Sequence, residues 1–304
     1  MSIININNLS KSYGKIEALK EINFEVNPGE LFGLIGPDGA GKTTLIRILT
    51  SLIIPDKGTA EVLGYDVVKD YKKIRSSVGY MPGRFSLYQD LSVEENLNFF
   101  ATIFGTTLKQ NYDLIKNIYI YLEPFKNRRA GKLSGGMKQK LALCCALIHK
   151  PKLLILDEPT TGVDPVSRDE FWEMLENLKS EGITTFVSTP YMNEAKLCDR
   201  VALIQKGIIL DIDKPAELTK RNYRKMYAIK STNMYGLIKL LNEFDKTDSV
   251  NIFGEYIHYT FKNGDENIDA LNKYLSEKGI GETEYKEINP DIEDIFIELM
   301  GKNG

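Results

Sequence analysis

The chain has 304 residues, 42% apolar and 27% charged, with a formal net charge of −3 and a pI near 5.7. Such a chain can bury one large domain and a smaller one without disulfide staples, and it lacks the basic balance of a chain that lives on nucleic acid. No nucleic-acid partner is expected. Cys144, Cys145 and Cys198 have no metal-ligand spacing, and adjacent cysteines rarely pair. They imply buried, reduced thiols and a reducing compartment. The start, MSIININNLSKSYG, lacks the basic-then-apolar order of a signal peptide. No window approaches the roughly 18 apolar residues that a spanning helix needs.

In chain order, alternation predicts short strands at 3–9 and 22–26, and the turn Asn27–Glu30 precedes a buried strand, Leu31–Ile35. A Gly-rich loop at 36–42 leads into a helix from Thr43, carrying Leu45, Ile46, Ile48 and Leu49. From about 91 to 150 the pattern is helical. Leu97, Phe99, Phe100, Ile103 and Phe104 form one apolar stripe; Ile115, Ile118, Tyr119 and Leu122 form another. Buried strands return at Leu153–Leu156 and Thr184–Val187, flanking a helix with Phe171, Trp172, Leu175 and Leu178. A Lys/Arg-rich helical stretch covers 216–226. Then come a strand (227–231), a helix (234–244), a strand pair (249–262), a helix (266–278), a strand (283–288) and a short helix (291–300). The expected fold is an α/β core over 1–218 with a helical subdomain at about 91–150, followed by a small α+β domain over 219–304.

The segment Gly36-Pro37-Asp38-Gly39-Ala40-Gly41-Lys42-Thr43-Thr44 fits the phosphate-loop pattern G-x-x-x-x-G-K-T between a strand and a helix. Its glycines let successive N–H groups curl around an anion, and the helix start points its positive end at the same place. Lys42 is expected on the β and γ phosphates, and the Thr43 hydroxyl on Mg²⁺. Leu153–Leu156 ends in Asp157 and Glu158. Asp157 is the expected Mg²⁺ partner, and Glu158 the group that polarises an attacking water.

Leu133-Ser134-Gly135-Gly136-Met137 stands before a helix, and Leu153-Leu154-Ile155-Leu156-Asp157-Glu158-Pro159-Thr160-Thr161-Gly162-Val163-Asp164-Pro165 follows it. Together with the phosphate loop, these segments closely resemble the ABC ATPase family, and the resemblance covers residues 3 to about 215. It implies a P-loop NTPase fold, ATP and Mg²⁺ as ligands, and a head-to-tail dimer. In that dimer Ser134, Gly135 and Gly136 face the ATP held by the other chain. It also implies adenine stacking on Tyr13 and a partner contact at Asp164. The end of the chain, Ile288–Phe296, is similar to the tails of drug- and polysaccharide-type (ABC-2) exporter ATPases. Integral membrane permeases would then be partners, and the location would be cytoplasmic, on the inner face of the cell membrane. In the family a short helix of the membrane chain docks beside the segment holding Gly83, Arg84, Phe85, Ser86, Leu87 and Tyr88. Phe85, Leu87 and Tyr88 are read either as an exposed docking patch or as subdomain core.

Three positions depart from the family pattern. Asp38 stands where Asn is commoner. Gly83 replaces the glutamine that touches Mg²⁺ and water. Pro190, in Ser188-Thr189-Pro190-Tyr191-Met192-Asn193-Glu194-Ala195, replaces the switch histidine. Proline offers neither a side-chain donor nor an N–H. Losing one such group costs about 10²–10³ in rate. The expectation is a chain that binds ATP, turns it over slowly in its own site, and completes the site of a second, intact ATPase chain. A homodimer relying on Glu158 stays open. Translation-type ATPases carry two units per chain, and repair-type ones insert a long coiled coil for which the span from Lys42 to Leu133 leaves no room. A purely regulatory ATP-binding module is the remaining alternative.

Overall fold

The computed structural model describes residues 2–221, 225–262 and 266–302. One compact unit ends at Leu218 and takes in the chain end from Leu299; the second runs from Thr219 to Glu298.

In the first unit, β1 (Ile4–Tyr13) and β2 (Ile16–Val26) form a hairpin, and β3 (Leu31–Ile35) leads into α1 (Lys42–Leu49). Next come β4 (Lys57–Val62), β5 (Tyr65–Asp66), α2 (Tyr71–Ser77) and β6 (Val78–Met81). The helical insertion consists of α3 (Val93–Ile103), α4 (Tyr112–Tyr119) and α5 (Gly135–Leu147). After it come β7 (Leu153–Asp157), α6 (Pro165–Ser180), β8 (Thr184–Thr189), β9 (Arg200–Gln205), β10 (Ile208–Asp213) and α7 (Pro215–Arg221).

Two sheets result. The antiparallel one runs β2-β1-β4-β5. The larger runs β10-β9-β3-β8-β7-β6, parallel except for the β10 edge. Strands covered on both faces read as continuous apolar runs, and Leu31–Ile35 and Leu153–Leu156 are buried throughout. The two sheets share one core, in which Phe24, Phe32 and Phe186 stack on one another.

In the second unit, β11 (Met226–Ser231), α8 (Met234–Glu243), β12 (Thr247–Phe253), β13 (Tyr256–Phe261), α9 (Ile268–Glu277) and β14 (Thr283–Ile288) precede α10 (Ile292–Lys302). The antiparallel order β12-β13-β11-β14 supports a core of Ile229, Leu237, Leu241, Ile257, Tyr259, Leu271 and Leu275. This is an α+β layer pair. His258 Nδ1 on β13 lies 2.8 Å from Asp294 Oδ1 on α10, and Phe253 stacks on the imidazole.

Several elements differ from the sequence expectation. The expected strands at 3–9 and 22–26 are longer, because polar residues continue the ladder as far as Tyr13 and Ile16. The first helix begins at Lys42, one residue early. Of the stripe on α3, Leu97 is buried, but Phe99 is 36% and Ile103 58% exposed; Val93 and Ala101 take the inward positions instead. The α4 stripe is inward at Ile115, Ile118, Tyr119 and Leu122. Of the helix expected at 216–226, α7 covers Pro215–Arg221; residues 222–224 lie outside the described residues, and Met226 already belongs to β11. The segment β4–β5 was missed, because only Ala60 and Val62 of β4 turn inward.

Candidate nucleotide-binding site

Parallel strands bring their C-terminal ends to one edge, the usual ligand edge of such a sheet. Ile35 pairs with Thr189, Asp157 with Ser188, and Met81 with Leu156. The phosphate loop, the acidic pair, Pro190 and Gly83 therefore all follow from one row of strand ends.

The loop is shaped by its glycines. A Cβ on Gly36 would lie 2.1 Å from the Ile204 carbonyl, and Gly41 caps α1 at φ 109°. Lys42 is 3% exposed; its Nζ donates to the carbonyls of Gly36 at 2.7 Å and Pro37 at 3.0 Å. The same nitrogen lies 3.0 Å from Glu158 Oε1. Thr43 Oγ1 donates to Asp157 Oδ1 at 3.1 Å, and Ser188 Oγ donates to that oxygen at 2.9 Å. Burial pushes the Asp157 carboxyl above its ordinary pKa; the Ser188 and Thr43 hydroxyls pull it back, Glu158 pushes it up and Lys42 opposes that. Glu158 sits at φ 49°, a left-handed backbone that strains a non-glycine residue. Its N–H donates to both Ser188 O and Ser188 Oγ at 3.1 Å, which holds it there.

A cleft of about 510 Å³ opens at this edge, lined by Tyr13, Gly39, Gly41, Lys42, Thr43, Thr44 and Glu158. Ile16, Glu17, Ala18, Lys20 and Lys206 complete its wall. Tyr13 is 47% exposed there, open to stacking. Sequence reasoning missed the last five. Ile16 was within reach, as the next apolar residue after Tyr13 on the hairpin. Lys206 carries no local signal, since the β9–β10 turn meets the loop only through the fold. Asp38 is exposed and Ala40 buried beneath the loop; neither lines the cleft.

The donor set suits Mg²⁺: one hydroxyl and one carboxylate, all oxygen, beside the anion-binding loop. Among the described residues no three His, Cys, Asp or Glu side chains could cage a metal. A Mg²⁺ here would be shared with phosphate oxygens and water.

Ser134, Gly135 and Gly136 do not join this cleft. Ser134 caps α5, its Oγ accepting from Met137 N–H at 3.3 Å. A Cβ on Gly135 would sit 3.7 Å from the Gly162 carbonyl, and one on Gly136 would strike Ser167 at 2.5 Å. Asp164 caps α6, accepting from Ser167 N–H at 3.0 Å. The Ser134–Gly136 segment and the Asp164 loop thus adjoin within the chain.

Gly83 lies against Asp157: a Cβ there would be 2.9 Å from the Asp157 carbonyl oxygen. After Pro190 the chain is tied inward. Glu194, 2% exposed, accepts from Thr160 Oγ1 at 2.9 Å and from Thr189 Oγ1. Of the three-residue patch, only Tyr88 is exposed; Leu87 is buried, and Phe85 is half-buried with Lys138 over its ring. A separate apolar groove of about 230 Å³ adjoins them, lined by Leu52, Ile74, Arg75, Leu87, Phe100, Phe104 and His149 among others.

The profile of the ABC transporter family matches residues 19–161. Nod factor export ATP-binding protein I of Rhizobium sp. (strain N33) is 34% identical over 304 residues, covering 98% of this chain and 97% of that one. The chain belongs to the family of ABC transporter ATP-binding proteins. The Escherichia coli (strain K12) probable multidrug ABC transporter ATP-binding protein YbhF is 39% identical over 311 residues, covering 100% of this chain and 53% of that one. The chain therefore spans about half the length of the YbhF proteins it matches. Among solved structures, cbiO1 from Clostridium perfringens, part of the ABC transporter complex cbiONQ, superposes with a TM-score of 0.64 at 27% identity, covering 72% of this ABC protein and 91% of that chain. The dimeric post-hydrolysis MJ0796 cassette bound to ADP and Pi gives 0.63 at 25% identity, over 69% and 98%.

Proposed function

We propose that this ABC protein binds Mg-ATP in the Tyr13–Lys42–Glu158 cleft and drives export through separate membrane subunits. The observation that carries the proposal is the convergence of Lys42, Thr43, Asp157 and Glu158 at one strand edge. Lys42 and the loop N–H groups bind the phosphates, Thr43 and Asp157 hold Mg²⁺, and Tyr13 carries the adenine. Mg²⁺ supplies charge neutralisation at the phosphates. Glu158, already left-handed on two Ser188 acceptors, orients the attacking water. Its pairing with Lys42 must loosen when a γ-phosphate takes that ammonium.

Turnover in this cleft is slow, because Gly83 and Pro190 supply no group toward the water or the γ-phosphate. The surface formed by Ser134, Gly135, Gly136 and Asp164 completes a partner's site instead. An asymmetric dimer with a second ATPase chain follows. The YbhF relative carries nearly as much sequence again outside the match, and MJ0796 is a dimer in its solved form. Export is supported by relatives named for multidrug transport and Nod factor export. In this reading a helix of the membrane subunit occupies the groove at Leu52, Arg75 and Phe104, and the chain works on the inner face of the membrane. No helix among the described residues is long and apolar enough to cross a membrane. ATP binding favours the closed dimer, and closure shifts the membrane chains between access states. Residues 1–218 serve as the ATPase domain and 219–304 as an accessory domain.

A homodimer is the second reading, favoured by the intact Asp157 and Glu158. Two measurements on the purified chain decide between them: ATP affinity and ATP turnover without any partner. Tight binding with almost no turnover is expected. Brisk turnover alone would refute the asymmetric dimer and favour the homodimer.

A further inference from the structure

The β9–β10 turn is built onto the phosphate loop. Gly207 N–H donates to the Ala40 carbonyl at 2.9 Å, and Lys20 N–H donates to the Gly207 carbonyl at 2.8 Å. A Cβ on Gly207 would lie 2.6 Å from the Ala18 carbonyl, and one on Gly41 would lie 3.6 Å from Gly207 Cα. The turn is thus wedged between β2 and the loop, with no space for a larger residue. Lys206, the residue before, sits at φ 48°, a left-handed backbone that lysine adopts only when its neighbours impose it. Lys206 is one of the residues that line the nucleotide cleft.

The charges of that cleft single it out. Lys42 is matched by Glu158 at 3.0 Å, and Lys20 faces Glu17 at 4.0 Å. Lys206 has no carboxylate partner among the described residues. It is exposed to solvent. An ATP phosphate tail carries several negative charges, and an ammonium is a compact, mobile partner for them.

We infer that Lys206 is a further nucleotide-binding residue, contacting the α- or β-phosphate from the β9–β10 turn. The inference rests on the ATP reading of the cleft. The phosphate end, rather than the adenine end, follows from the anchoring of the turn at Ala40 and Gly41. The contact also ties nucleotide occupancy to the hairpin edge of the large sheet, since anything that shifts Gly207 shifts both Lys206 and the loop.

The test measures affinities of ATP, ADP and adenosine for wild type, Lys206→Ala and Lys206→Arg, by calorimetry at low and high salt. Lys206→Ala should weaken ATP and ADP by about tenfold, the value of a charge-assisted hydrogen bond, and leave adenosine unchanged. Lys206→Arg should retain most of the affinity. The salt dependence of ATP binding should be shallower in Lys206→Ala than in wild type. Thermal unfolding of both variants without nucleotide checks that the turn is intact. Equal ATP affinity in wild type and Lys206→Ala, or equal weakening of adenosine, overturns the inference and leaves the ATP reading standing. Failure of the wild type to bind ATP overturns the ATP reading itself.

Discussion

Replacing Gly83 tests whether its glycine is merely a lost glutamine or a packing requirement. A Cβ at this position would lie 2.9 Å from the Asp157 carbonyl oxygen and 3.8 Å from Asp157 Cγ. An ordinary C···O contact is about 3.3–3.6 Å, so a few tenths of an ångström must be absorbed. The carbonyl belongs to β7, which is paired on both sides by β6 and β8, so the loop after β6 must give way. Overpacking of this kind costs about 1–3 kcal/mol. For a unit of this size, that lowers the unfolding midpoint by roughly 2–12 °C. Gly83→Ala and Gly83→Gln should both show the loss, and Gly83→Gln should leave ATP turnover at or below the wild-type rate. Scanning calorimetry and steady-state phosphate release measure the two quantities. A Gly83→Gln chain with an unchanged midpoint and at least tenfold faster turnover would refute the steric argument.

Three other outcomes follow from named contacts. The Asp157 carboxyl is raised by burial, so its stabilising contribution is present below its unfolded pKa of about 3.9 and lost as pH rises through the folded value. At neutral pH the ionised group is a net cost. Asp157→Asn should raise the melting temperature without nucleotide and abolish the Mg²⁺-dependent rise on adding ATP; a drop in the nucleotide-free melting temperature would contradict this. Gly136→Ala forces a Cβ to within 2.7 Å of Ser167 Cβ, so the isolated chain should lose about 1–3 kcal/mol in urea unfolding; an unchanged midpoint would mean that α5 and α6 separate easily. Burial lowers the His149 pKa, and its ring stacks on Phe104 at 3.9 Å. Its stabilising share is present above about pH 6.5 and lost as pH falls through the depressed folded value. His149→Phe should therefore flatten the fall in stability between pH 7 and pH 5, read from urea midpoints; an unaltered slope would assign the fall to other groups.

Much of the candidate site is legible in the residues themselves. A phosphate loop works through backbone N–H groups whose curl depends on glycine spacing, so Gly36, Gly39, Gly41 and Lys42 declare themselves over a few positions. Leu153–Leu156 declares a buried parallel strand because both its faces are covered, and Asp157 and Glu158 follow at its end. Ser134 and Asp164, read from the sequence as partner-facing positions, also cap α5 and α6. The absence of the switch histidine is likewise a matter of sequence alone, since Pro190 occupies the position. Stripe reading was weaker on α3, where Phe99 and Ile103 match the helical period yet face outward. Period identifies a face, and only the neighbouring elements determine whether that face is covered.

The tertiary structure decided what depends on strands far apart in the chain. Asp157 meets Thr43 because β8 lies between β3 and β7, and Gly83 meets Asp157 because β6 closes the same edge. Lys206 reaches the phosphate loop through a turn that no local pattern marks. Local motifs are set by short-range backbone geometry, so the sequence determined the phosphate loop and the acidic pair of the candidate site. Strand order and register are set by long-range packing of the whole core, so the tertiary structure alone determined which charges share the cleft.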